Sequence, residues 1–238
     1  MTSFAIPRIQ SVSGRETKPG EGIPQVPVPL AVVDHASFRD WARSDDFPQH
    51  GRFAWLDGMI WMDLMVEQVF SHNAVKNEFI AALLRHVNKH RLGYLLSDGV
   101  LVSNERAGLS TEPDVLFVSF GSETSGRVHF QEGAREGVIE LVGTPDMTLE
   151  VVSDSSVTKD RVNLKSAYYQ AGVLEYWLVD ARRGKVDFTI LKRGANGFIP
   201  TPASDDSSIR STVFGAGVRL RSKPGPTKRP VYNVTIKK

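Results

Sequence analysis

Residues 146–180 read DMTLEVVSDSSVTKDRVNLKSAYYQAGVLEYWLVD, and the order of patterns in this stretch decides the fold. The apolar run from Leu149 to Val152 contains one acid, Glu150, and predicts a buried strand. Ser153-Asp154-Ser155-Ser156 follows, with residue types that commonly cap helices, and a helix is predicted after it. A second apolar run, Tyr176 to Val179, predicts another strand. The stretch therefore predicts a strand, a helix and a strand in succession.

Two carboxylates in predicted strands point to a metal site. A charged acid such as Glu150 is costly inside a buried strand unless something cationic meets it. Asp114 follows Pro113 at the mouth of another predicted strand, and carboxylates on neighbouring strands can share a hard cation such as Mg²⁺. Such an ion would polarise a phosphate and help to deprotonate a water. Lys165, in the helix after the Glu150 strand, is the best candidate to stabilise charge on that phosphate.

The composition limits the chemistry and the location of the protein. The chain has 238 residues and 41% hydrophobic content, enough for a proper core, and it has no cysteine. Any metal must therefore be bound by oxygen or imidazole ligands. No apolar run approaches the roughly 20 residues that span a bilayer, and the first residues lack the order of a signal peptide. We expect a cytoplasmic protein with no membrane association.

Charge is distributed unevenly along the chain. The formal net charge is +2, but residues 219–238 contain seven Lys or Arg and no acid. Residues 31–218 contain 19 basic and 25 acidic residues. Since nucleic-acid binders usually carry a basic footprint, that footprint would have to be local here or lie in the tail.

The chain divides into three predicted parts. Residues 1–30 contain five prolines and little periodicity, which predicts a flexible arm. Residues 31–220 are predicted to form a single domain of the α/β or α+β class, with a hairpin around Asp57-Gly58. The basic segment 221–238 is predicted to be a flexible tail.

At this point the ordered motifs resemble a known family. The chain resembles the Uma2 family (DUF820) of restriction-endonuclease-like proteins, a branch of the PD-(D/E)XK nuclease superfamily. The resemblance covers roughly residues 50–190 and rests on the ordered set Leu56-Asp57-Gly58, His72, Glu112-Pro113-Asp114-Val115, Pro145-Asp146, Leu149-Glu150-Val151-Val152-Ser153, Asp160, Lys165, Tyr168 and residues 172–180.

The resemblance implies a fold, an activity and a set of site residues. It implies a restriction-endonuclease-like mixed sheet flanked by helices and Mg²⁺- or Mn²⁺-dependent cleavage of nucleic acid, DNA rather than RNA. Asp114 and Glu150 would be metal ligands, the Val151 carbonyl a further ligand, Lys165 the electrostatic partner, and His72 a ligand to water or a phosphate contact. One position departs from the wider superfamily, because the lysine expected two residues after the strand acid is replaced by Val152. Cutting of both strands would favour a homodimer.

Other interpretations stay open from the sequence. The protein could be a non-catalytic nucleic-acid-binding or interaction protein that reuses the fold, and Glu150 could pair with Lys165 for structure alone. The aromatic side chains Tyr168, Tyr169, Tyr176 and Trp177 are expected in the core rather than stacked on bases. Glu112 and Glu175 are candidates for the site or for structural roles.

Overall fold

The computed structural model describes residues 8–11, 28–133, 137–184 and 186–237. Its strands are β1 Arg8–Ser11, β2 Arg52–Leu56, β3 Met59–Asp63, β4 Gly93–Ser97, β5 Leu101–Asn104, β6 Leu109–Thr111, β7 Val115–Ser119, β8 Val128–Glu132, β9 Val138–Gly143, β10 Met147–Val151, β11 Glu175–Asp180, β12 Asp187–Arg193, β13 Phe198–Pro200, β14 Ile209–Ser211, β15 Ala216–Pro224 and β16 Pro230–Lys237. Its α-helices are α1 His35–Ala42, α2 Val75–His90, α3 Phe120–Thr124 and α4 Leu164–Ala171. Short π-helical turns, Val69–Ala74 and Lys159–Asn163, lead into α2 and α4, and Arg182–Gly184 is a 3₁₀ turn.

The described strands form three sheets. The central sheet has the order β13-β12-β11-β10-β7-β4, and β10 runs parallel to β11 while β7 runs antiparallel to β10. A second sheet has the order β1-β3-β2-β6-β5-β9-β8, and a third has the order β14-β15-β16. The predicted strand, helix and strand are therefore β10, α4 with its preceding turn, and β11. The predicted class, a mixed sheet flanked by helices, is confirmed.

The central sheet is covered on both faces, and alternate side chains along β10 point into two different cores. Leu149 and Val151 face a core shared with α2 and the third sheet. Val152 belongs to a second core, which contains α4 and strands of the second sheet. Because alternate residues of a strand point to opposite faces, Glu150 faces the α4 side together with Val152. Tyr168, Tyr176 and Trp177 are fully buried, as expected for core aromatics.

The last residues of the chain differ from the predicted flexible tail. Residues 221–224 continue β15, and residues 230–237 form β16, which pairs with β15 from Gly217 to Pro224. Tyr232 and Val234 are buried in the same core as α2. The basic composition of residues 221–238 suggested flexibility, but apolar side chains at alternate positions give one face of this hairpin enough surface to bury.

The N-terminal arm predicted for residues 1–30 lies largely outside the described residues. Within it, Arg8–Ser11 forms β1, which pairs in parallel with β3, so this short part is not a free arm. Among the described residues, no helix is both long and apolar enough to cross a membrane.

Candidate active site

Strand register brings the two predicted acids together. β7 and β10 are antiparallel with Val115 opposite Leu149, so Asp114, just before β7, lies opposite Glu150. The backbone N–H of Asp114 lies 3.4 Å from Oε2 of Glu150, and the N–H of Val151 donates to Oδ2 of Asp114 at 2.8 Å. Both side chains are buried. The pairing predicted from two separate strand patterns is therefore present at this sheet end.

A cavity of about 270 Å³ opens at this position. It is lined by the two acids and by residues from four further regions: the strand β2, the end of β3, the loop and π-helical turn before α2, and the segment between β10 and α4. The charged and imidazole side chains of this lining are Arg52, Asp63, Glu67, His72, Asp114, Glu150, Asp154, Lys159 and Asp160. The cavity thus collects acids, cations and a histidine from segments that are distant in sequence.

Asp114 is surrounded by cationic groups. Arg52 Nη1 donates to its Oδ1 at 2.8 Å, and Lys76 Nζ lies 3.8 Å from the same oxygen. His72 Nε2 lies 3.3 Å from Oδ2. Burial raises the pKa of Asp114, but His72, Arg52 and Lys76 outweigh burial and hold this pKa well below its usual range. Asp114 is therefore a carboxylate at any ordinary pH.

Glu150 has the opposite electrostatic situation. Tyr168 donates to its Oε1 at 2.7 Å, and no cation of the described residues forms an ion pair with it. Burial, followed by the charges of Asp114 and Asp160, raises the pKa of Glu150 to about 8. Without a further cation, Glu150 therefore holds a proton at neutral pH.

A third acid and a lysine complete this side of the cavity. Asp160 is buried and accepts a hydrogen bond from Ser156, and burial is the main reason that its pKa rises to about 6. The charge of Lys159 lowers the pKa values of both Glu150 and Asp160, although burial prevails at each. The Glu150 side of the cavity therefore carries more potential negative charge than the nearby lysine can neutralise.

A second group of metal-ligand types lies on the other side of Asp114. One oxygen each of Glu67 and Asp114 and a ring nitrogen of His72 lie within 4.8 Å of one another. Burial lowers the pKa of His72, but its contacts with Asp114 and Glu67 outweigh burial and raise it. Glu67 also forms ion pairs with Arg52 and with Lys76, the latter at 2.7 Å. Protein cations therefore already neutralise much of the charge on this side.

The predicted site residues do not all meet. Asp114, Glu150, Val151 and His72 line one cavity. Lys165 is half-buried and is not among the cavity-lining residues, whereas Lys159 is. The reason is local: α4 buries Leu164, Ala167 and Tyr168, and Lys165 lies beside that buried stripe, whereas Lys159 lies in the π-helical turn before α4.

Glu175 and Glu112 lie outside the site. Glu175 is fully buried, and it accepts hydrogen bonds from Trp177 Nε1 at 2.9 Å, Ser211 Oγ at 2.7 Å and Thr212 N at 2.6 Å. It therefore joins the third sheet to the central sheet. Glu112 lines a small neighbouring cavity together with Lys159, and burial raises its pKa.

Two cationic residues of the site, Arg52 and Lys76, were not predicted from the sequence. Arg52 lies 62 residues before Asp114, and Lys76 lies on the buried face of α2. One available signal was the polar Lys76 inside the helical apolar stripe of Val75 and Phe79, because a lysine on a buried face needs a carboxylate partner.

Comparisons with known proteins address the family directly. A model of the family Uma2, described as "Putative restriction endonuclease", matches residues 36–221. The chain belongs to the Uma2 family. The Uma2 chain is also similar to a crystal structure of a "putative nuclease belonging to DUF820" from Anabaena variabilis, with 17% sequence identity and a TM-score of 0.47. That similarity covers 68% of this chain and 83% of the other. No curated protein matches the chain.

Proposed function

We propose that this Uma2 protein is an endonuclease that depends on Mg²⁺ or Mn²⁺ and hydrolyses phosphodiester bonds, with DNA as its substrate. The observation that carries the proposal is the juxtaposition of Asp114 and Glu150 across the β7–β10 register, in a cavity that also contains Lys159. The description of the family as a restriction endonuclease supports DNA over RNA.

The donor set of the cavity fits a hard divalent cation. Asp114, Glu150 and Asp160 place three carboxyl groups in one cavity, and burial together with the charges of Asp114 and Asp160 raises the pKa of Glu150, an effect that a bound cation would oppose. Mg²⁺ and Mn²⁺ prefer such oxygen ligands. Asp114 and Glu150 would hold the ion, with the Val151 carbonyl as a further ligand. The Glu67 side is less suited, because Arg52 and Lys76 compensate both Glu67 and Asp114 there, whereas Glu150 forms no ion pair with a cation of the described residues.

Each side chain then has a distinct role. A bound divalent ion would polarise the scissile phosphate and lower the pKa of an attacking water. Lys159 would stabilise the negative charge that develops on the phosphate, the role that the sequence predicted for Lys165. His72 would hold the Asp114 carboxylate in place through its 3.3 Å contact. Arg52 would orient the same carboxylate from its other oxygen.

Cleavage and metal binding test the proposal together. Purified protein is incubated with plasmid DNA in Mn²⁺, Mg²⁺ or EDTA, and the Glu150→Gln variant is compared with Glu132→Gln, which changes an exposed acid of β8. We expect cleavage by the wild type and Glu132→Gln only with metal, and no cleavage by Glu150→Gln. Cleavage retained by a folded Glu150→Gln protein would rule out this site.

Calorimetric titration with Mn²⁺ distinguishes the two ligand groups. Loss of binding in Asp114→Asn and Glu150→Gln, with binding retained in Glu67→Gln, supports the ion position proposed here. Loss in Glu67→Gln with binding retained in Glu150→Gln would place the ion on the His72 side instead.

One observation favours a second candidate function, a non-catalytic nucleic-acid-binding protein. Arg52 and Lys76 already neutralise Asp114 without any metal, and Val152 stands where the superfamily lysine is expected. If Mn²⁺ does not bind at millimolar concentration and no cleavage occurs, while DNA still binds, this second function is the correct one.

A further inference from the structure

A groove adjoins the candidate active site. Its volume is about 710 Å³, and it lies between the start of the Val69–Ala74 turn and the β15–β16 hairpin. Gln68 lines both this groove and the active-site cavity, so the two openings adjoin at that residue. The groove therefore extends from the rim of the active-site cavity, at Gln68, to the end of the hairpin.

The hairpin end is rich in exposed positive charge. Lys223 and Lys228 line the groove, and the Arg229 guanidinium lies 5.3 Å from the ring centroid of Phe70. All three cations are exposed, and none forms an ion pair within the described part of the chain. Residues 219–238 contain no acid that could neutralise them. A surface of this kind attracts phosphates.

The position of these cations is set by packing. β16 contributes Tyr232 and Val234 to the core that contains Val75 and Phe79 of α2, and Tyr232 also lines the groove. The turn before α2 carries His72, which contacts Asp114. The hairpin therefore packs against the same helical segment that supplies the site histidine.

The basic hairpin is also where the chain concentrates its positive charge. Residues 31–218 contain more acidic than basic residues, so a basic footprint for nucleic acid would have to be local there or lie in the terminal segment. Residues 222–237 lie beyond the family match, which ends at residue 221. The hairpin end thus lies outside the matched region.

We propose that the groove between Gln68 and the β15–β16 hairpin end binds the phosphate backbone of the nucleic-acid strand that enters the active site, through Lys223, Lys228 and Arg229. This inference rests on the proposed function for the identity of the ligand. The Arg229 guanidinium lies over the ring of Phe70, a groove-lining residue, and this contact keeps its charge at the groove.

The experiment measures DNA binding in EDTA, where metal-dependent cleavage cannot occur. Fluorescence anisotropy of a fluorescein-labelled DNA duplex is recorded at several NaCl concentrations with the full chain. The test variant combines Lys223→Gln with Lys228→Asn, because Lys228 has φ 64° and asparagine tolerates that conformation. The matched control combines Arg85→Gln with Lys89→Gln, which removes two exposed cations from the far end of α2.

The expected result is specific to the hairpin. Each lost phosphate contact lowers the magnitude of the slope of log K against log salt by about one. The slope of the test variant should therefore be smaller by about two, and its DNA binding at least about tenfold weaker. The control variant should keep the wild-type slope. Equal losses in both variants, or an unchanged slope in the test variant, would overturn the proposed groove.

The outcome also separates this inference from the proposed function. If the wild type cleaves DNA with Mn²⁺ but the hairpin variant keeps its salt slope, only the groove assignment fails. If DNA binding depends on the hairpin but no cleavage occurs, the groove assignment stands and the nuclease activity fails. If the wild type neither binds nor cleaves DNA, both are overturned.

Discussion

The Asp114 carboxylate accepts a hydrogen bond from the backbone N–H of Val151, with 2.8 Å between Oδ2 and N. This bond ties the residue before β7 to the last residue of β10, directly after Glu150. The two acids are therefore held at a fixed separation by the backbone of the central sheet. Arg52 and His72 fix the Asp114 carboxylate from its other sides.

Metal binding should release a proton from Glu150. The pKa of Glu150 is raised to about 8, so the metal-free protein holds this group protonated at pH 6.5, and a ligated carboxylate must lose that proton. Calorimetric titration with Mn²⁺ in buffers of different ionisation enthalpy should show release approaching one proton per ion at pH 6.5 and much less at pH 9. Equal release at both pH values would contradict the assignment of Glu150 as a ligand.

The stability of the metal-free protein should fall as pH rises between about 4.5 and 8. Over this window the folded state retains the Glu150 proton that the unfolded state has lost, so the free energy of unfolding decreases as pH rises. In Glu150→Gln this fall should be smaller by at least about 1.4 kcal/mol, the equivalent of one pKa unit. Chemical unfolding in EDTA at pH 5 and pH 8.5 measures the change in the free energy of unfolding between the two pH values. The control Glu132→Gln, at an exposed position, should show the same change as the wild type.

Lys159 and Lys165 should differ in their effect on cleavage. Lys159 lines the cavity and Lys165 does not, so Lys159→Ala should lower kcat by about 10²-fold, as for the loss of a donor to developing charge. Lys165→Ala should stay close to the wild-type rate. Single-turnover cleavage in Mn²⁺ compares the two variants. A larger loss of cleavage rate in Lys165→Ala than in Lys159→Ala would show that Lys165, as predicted from the sequence, is the lysine of the site.

Arg52→Ala should strongly destabilise the metal-free fold. Arg52 pairs with Asp114, Glu67 and Asp98, and its removal leaves the buried Asp114 with fewer compensating charges. We expect a loss of about 3 kcal/mol in the free energy of unfolding. Arg106→Ala, at an exposed turn position, should change stability by less than about 0.5 kcal/mol. Urea unfolding in EDTA checks both, and a neutral result for Arg52→Ala would show that the charge network contributes little.

Glu175→Ala should affect stability and leave the metal site intact. Its carboxylate accepts hydrogen bonds from Trp177 and from Ser211 and Thr212 of the third sheet, so its removal leaves buried donors without a partner. The expected cost is about 3 kcal/mol, measured by urea unfolding. Mn²⁺ affinity at low temperature should be unchanged. Loss of Mn²⁺ binding in a folded variant would contradict a purely structural role of Glu175.

The amino-acid sequence by itself determined the local elements and the paired acids. The β10, α4 and β11 succession follows from apolar periodicity, and periodicity is a property of neighbouring residues. Glu150 was recognisable because an acid inside an apolar run is costly, and that cost is independent of the rest of the fold. Asp114 followed from the same kind of local signal at the mouth of β7.

Only the tertiary structure decided which cations serve these acids and where the basic segment lies. Arg52 and Lys76 meet Asp114 through contacts across the β2, α2 and β7 elements, and no spacing along the chain encodes such an encounter. Lys159 rather than Lys165 reaches the cavity, because the turn before α4 lines the cavity while Lys165 lies beside the buried stripe of α4. The basic residues 221–238 suggested a free tail, since composition reports average polarity. Their alternation buries Tyr232 and Val234, and strand pairing with β15 then fixes Lys223 and Lys228 at the groove that adjoins the active-site cavity.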